Sequence, residues 1–140
     1  MDDNQLRLLR SKLSSVAFPA FTLTAGPIGC FKGNRQLPIR VLWAQITGAE
    51  HLQGEIDKAL LPEFPPDQKH AESMKKGEYK HHTTLCRVKQ IHNLSNCRNQ
   101  IKNSTFPITT QQVDSFVLVQ STLGKGGAVY TILDRFPASS

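Results

Sequence analysis

The chain has 140 residues, 39% of them hydrophobic, and a net charge of +6. A chain of this size is one domain by the usual prior and can bury roughly 70% of its unfolded surface. No run of 18 apolar residues occurs, so no transmembrane helix is expected, and the acidic start Met1-Asp2-Asp3-Asn4-Gln5 lacks the basic-then-apolar layout of a signal peptide. Three cysteines, Cys30, Cys86 and Cys97, are too few for a disulfide framework and form no zinc spacing. A reduced, cytoplasmic protein without metal or other cofactor is expected.

Asp2 or Asp3 caps a predicted helix running to about Ser15. Leu6, Leu9 and Leu13 form its apolar face, and Arg7, Arg10 and Lys12 face water. Pro19 ends this region. Phe21 and Leu23 alternate with Thr22 and Thr24 as in a half-buried strand, which Ala25-Gly26-Pro27 breaks before Ile28 to Phe31 resume it. Lys32-Gly33-Asn34-Arg35 reads as a turn. Ile39 to Ile46 carries the strongest strand signal, closed by Gly48. Ala49 to Leu61 places Leu52, Ile56, Ala59 and Leu60 at helical spacing before Pro62.

Glu63 to Glu78 is polar, carries Pro65-Pro66 and predicts a loop or lid. Lys80 to Val88 predicts a strand, and Asn93 to Lys102 a short helix. Pro107-Ile108 suits an edge strand. Val113 to Gln120 and Ala128 to Leu133 flank the turn Gly124-Lys125-Gly126-Gly127 and predict a hairpin. No repeat or internal domain boundary is visible. The sum is α+β, with helices packed on antiparallel sheet.

The chemistry concentrates in "HHTTLCRV", residues 81–88. On a strand, residues two apart face the same side, so His82 and Thr84 point at one volume. An imidazole near neutral pH beside a hydroxyl is half of what phosphoester chemistry needs. A run of Lys69, His70, Lys75, Lys76, Lys80, His81, Arg87 and Lys89, opposed by Glu72 and Glu78 only, surrounds that strand and favours an anionic ligand.

Five pieces in order resemble the 2H phosphoesterase superfamily, and within it the RNA 2′,3′-cyclic phosphodiesterases, also called 2′-5′ RNA ligases. They are "FPAFTLTAGPIGCF" from Phe18, ending in Gly-x-Phe; "PIRVLWA" from Pro38; a helix with Leu52 and Leu60; "HHTTLCRV", similar to the signature Pro-His-x-Thr-Leu-x-Arg; and the hairpin "VLVQSTLGKGGAVYTIL" with Ser121 and Tyr130. His81 stands where that signature has proline.

The resemblance implies a two-lobed α+β fold of antiparallel sheets with flanking helices, over a single domain of residues 1–140. It implies metal-independent hydrolysis of a cyclic phosphate at RNA ends, with two histidines serving as acid and base. His82 is then one of that pair and Thr84 a phosphate-binding hydroxyl. Lys80 shares their strand parity and reaches the same phosphate. Arg87, at opposite parity, ranks below Lys80 as a phosphate contact. Tyr130 lines a base pocket or belongs to the core; Arg40 touches phosphate or sits on the surface.

The family's first His-x-Thr motif and opening strands, which precede the helix beginning near Gln5, have no counterpart in this sequence. The expected activity is therefore impaired, and the alternative is a non-catalytic binder of RNA ends or nucleotides. Open sheet edges left by the missing strands invite a homo-oligomer.

Overall fold

The computed structural model describes residues 1–75, 81–104 and 107–139. Its elements are α1 (Asp3–Ser14), β1 (Phe21–Lys32), β2 (Ile39–Thr47), α2 (Glu50–Leu60), α3 (Gln68–Lys75), β3 (His82–Arg87), α4 (Leu94–Lys102), β4 (Thr109–Val113), β5 (Ser115–Gly124) and β6 (Gly127–Pro137). All strand pairs within the sheets are antiparallel where their register is defined, as the α+β expectation requires. The chain divides into two compact units, one made of residues 1–21, 50–70 and 112–140, the other of 22–49 and 71–111.

In the first unit, α1 starts on a reciprocal cap. The Asp2 carboxylate accepts from the Gln5 N–H at 2.8 Å, and the Gln5 side chain accepts from the Asp2 N–H at 3.1 Å. Two of the helix's orphan donors are thereby satisfied. Leu13 is buried, and Leu6 and Leu9 are half-buried, as their spacing predicts. Arg10, expected in water, is half-buried and donates to Asp134 of β6. Phe18, the most buried large side chain at 1% exposed, anchors the core. Its ring lies 5.5 Å from that of Phe116, which stacks on Phe136 at 4.9 Å. Strands β5 and β6 form a two-stranded sheet of their own.

In the second unit the sheet order is β3-β2-β1-β4. The central β2 buries Ile39, Val41, Trp43 and Ala44, side chains from both of its faces. That accounts for a nearly continuous apolar run rather than clean alternation. Gly48 ends it at φ +109°, where a Cβ would also come 2.3 Å from the Thr22 carbonyl oxygen. Such a backbone conformation suits glycine alone.

Three expectations are corrected. Strand β1 does not break at Pro27; it runs through, with a cis Gly26–Pro27 peptide and a register shift between Ala25 and Ile28. The irregularity accommodates a residue that cannot donate to the ladder. The predicted loop from Glu63 to Glu78 contains α3, because no Gly or Pro lies between Pro66 and Gly77 to prevent a helix. The edge strand expected at Pro107-Ile108 begins at Thr109 and is indeed last in its sheet.

Candidate functional site

Strand β3 is the edge strand beside β2, and all six of its residues are exposed. Its register sets His82 opposite Gln45, Thr84 opposite Trp43 and Arg87 opposite Val41. Residues 41, 43 and 45 share one face of β2. Cross-strand partners share a face as well, so His82, Thr84 and Arg87 all stand on it.

This reverses the parity argument for Arg87. Simple alternation from Thr84 puts Arg87 on the far side. The register slips between Leu42 and Trp43, with Leu85 as the extra residue, and one extra residue restores Arg87 to the side of Thr84. The imidazole, the hydroxyl and the guanidinium thus line one surface of the strand.

The floor beside them is aromatic. Across β2, Gly29 of β1 is the partner of Trp43, and Phe31 is the partner of Val41. A Cβ on Gly29 would lie 2.4 Å from ring carbons of Trp43, so the indole occupies the space that glycine leaves. The Phe31 ring lies 5.5 Å from Trp43 and 4.9 Å from His82, and His82 lies 6.1 Å from Trp43. The Phe31 and His82 planes meet at 88°. Edge-to-face packing of this kind orients the imidazole.

Chemically, the face offers a proton donor or acceptor, a hydroxyl that hydrogen-bonds an anionic oxygen, and a fixed cation able to engage phosphate through two N–H groups. Planar apolar surface adjoins them, of a kind on which a nucleobase stacks. Among the described residues no group of three or more His, Cys, Asp or Glu is placed to hold a metal ion.

Three sequence candidates remain. Lys80 falls outside the described residues. Arg40 is exposed and is the extra residue where the β1–β2 register shifts between Phe31 and Lys32, so alternation from Val41 does not carry it to a particular side of β2. Tyr130 belongs to the first unit, where it is 70% exposed and pairs across β5–β6 with Ser121, so it is not a core tyrosine. Sequence reasoning missed the roles of Phe31 and Trp43. The Gly29-x-Phe31 pattern was the available signal, but its link to His82 depends on three strands being in register.

No protein-family model matches the chain, and no curated protein is similar enough to match. Solved structures do match. TT0787 of Thermus thermophilus superposes with a TM-score of 0.60 at 21% identity, over 98% of this chain and 72% of that one. E. coli LigT complexed with 3′-AMP gives 0.59 at 18% identity, over 100% of this chain and 70% of LigT. The complex of LigT with ATP gives 0.54 at 20% identity, over 100% and 71%. These neighbours are of the 2′-5′ RNA ligase family in the 2H phosphoesterase superfamily, and it is their fold that this chain has.

Proposed function

We propose that the chain is a 2H phosphoesterase-like protein acting on the phosphate of a nucleotide or an RNA end. The observation that carries this reading is the common face of His82, Thr84 and Arg87 beside the Phe31–Trp43 floor. It is supported by the likeness to LigT, which was solved with 3′-AMP and with ATP. In this reading Thr84 and Arg87 bind the phosphate oxygens. His82 moves the proton, as base toward an attacking water or as acid toward the leaving ribose oxygen. The substrate is a 2′,3′-cyclic phosphate, opened without a metal to a monoester.

A concerted displacement uses both an acid and a base, and each is worth about 10²–10⁴-fold. Among the described residues His82 is the histidine found within a strand; His81 directly precedes it, His51 lies on α2, His70 on α3 and His92 between β3 and α4. This favours, as a second reading, a protein that binds nucleotide phosphate with little turnover.

The test is hydrolysis of a nucleoside 2′,3′-cyclic phosphate without added metal, with 3′-AMP affinity measured in parallel, for the unaltered chain and for His82→Ala. Turnover abolished by the substitution supports the enzyme. Binding retained with no turnover in either protein supports the binder. Neither binding nor turnover would overturn both readings.

A further inference from the structure

Outside the site, the outer half of the β5–β6 ribbon stands out. Residues 119–132 are exposed without exception. Val119 pairs with Ile132, Ser121 with Tyr130 and Leu123 with Ala128, so these six share one face. Val119 is 40%, Leu123 94%, Tyr130 70% and Ile132 57% exposed. Contiguous apolar surface of this kind marks an interaction site.

The edge is equally open. Among the described residues β5 pairs with β6 alone. Strand β6 is partly covered, since α1 joins it through the Arg10–Asp134 pair and Ser139, just beyond it, bridges to Pro19. The outer edge of β5 has no such cover in its unit. Exposed edges are ordinarily guarded by charge or proline. From Ser115 to Leu133 the one charged residue is Lys125, in the turn, and there is no proline.

We propose that a second copy of this chain adds to the β5 edge in antiparallel fashion about a twofold axis at Ser121. The sequence of β5 is self-complementary in that register. Val119 meets Leu123 of the other copy on the apolar face, Ser121 meets Ser121, and Gln120 meets Thr122 on the polar face. Every ladder donor finds a carbonyl, as an isologous interface requires.

Charge selects this occupant over a nucleic acid or an anionic membrane. Either of those is gripped by Lys and Arg, which the outer half of the ribbon, residues 119–132, lacks apart from Lys125 in the turn. Two copies of net charge +6 repel, and the outer half of the ribbon, whose one charge is Lys125, is where they can meet. Their Lys125 side chains point to opposite ends, roughly 25 Å apart at ~3.3 Å per residue. That exceeds the Debye length of about 8–10 Å at physiological salt.

The experiment is sedimentation equilibrium of the full chain from micromolar to several hundred micromolar, with two variants. The unaltered chain should pass from the 15.6 kDa monomer to twice that mass. Leu123→Lys should weaken association at least about tenfold, equivalent to the ~1.4 kcal/mol of that ratio. Because Leu123 is 94% exposed, its replacement leaves the fold in place. In a background with Cys30, Cys86 and Cys97 replaced by serine, Ser121→Cys should form an oxidation-dependent covalent dimer that the same background with Ser121 does not form. A monomer at every concentration overturns the proposal. So does a dimer indifferent to Leu123→Lys with no cross-link from Ser121→Cys. None of these readouts depends on catalysis.

Discussion

The Phe31 ring meets the His82 imidazole at 88°, with centroids 4.9 Å apart. The contact joins β1 to β3 across the intervening β2. It means that the group proposed to move the proton is oriented by a residue 51 positions earlier in the chain. Phe31→Ala should therefore lower turnover, or 3′-AMP affinity if turnover is absent, with Phe31→Tyr restoring it. Half-buried as it is, the ring should also contribute about 1–3 kcal/mol of stability. Parallel urea titrations and activity assays separate the two effects, because Phe31→Leu should recover stability without recovering the orientation.

Gly29 is required by its neighbour rather than by its own backbone. A Cβ there would come 2.4 Å from the Trp43 ring. Gly29→Ala should destabilise the protein by about 1–3 kcal/mol through overpacking and alter Trp43 fluorescence. Unchanged stability would mean that the indole has an alternative position.

Arg87 and Arg40 should behave differently. Arg87 shares a face with Thr84, whereas Arg40 sits at a register shift of β2, outside the His82–Thr84–Arg87 row of β3. Losing a charge-assisted hydrogen bond costs about 1.5–3 kcal/mol, so Arg87→Ala should weaken 3′-AMP binding roughly tenfold or more. Arg40→Ala should leave it within about twofold. Isothermal titration at two salt concentrations is the measurement, and equal effects would argue against the face assignment.

Phe18 is 1% exposed and contacts Phe21 and Phe116. Phe18→Ala should cost about 3–5 kcal/mol, visible as a lower urea midpoint. Replacing Asp134, whose carboxylate is paired with Arg10 but one-third exposed, should cost less than about 1 kcal/mol. The contrast tests whether the aromatic core rather than the ion pair holds the first unit.

Much of the architecture was legible in the chain itself. The Asp2 cap, the leucine spacing of α1, the apolar run of β2, the glycine turn between β5 and β6 and the His82–Thr84 pair are all local patterns, in which propensity and periodicity agree with the final structure. Helix α3 and the continuity of β1 were not. In the reading, Pro27 in one case and the polar run with Pro65-Pro66 in the other weighed more heavily than the neighbouring backbone bonds do in the fold.

What the sequence determined by itself is the α+β class and the residue types available for phosphate chemistry, because both follow from side-chain period and composition. Only the tertiary structure decided which of those residues stand together. Arg87 joins Thr84 through a one-residue slip in register, and Phe31 reaches His82 across β2. Both relationships depend on hydrogen bonding between strands distant in sequence, and alternation along a single strand carries no record of it.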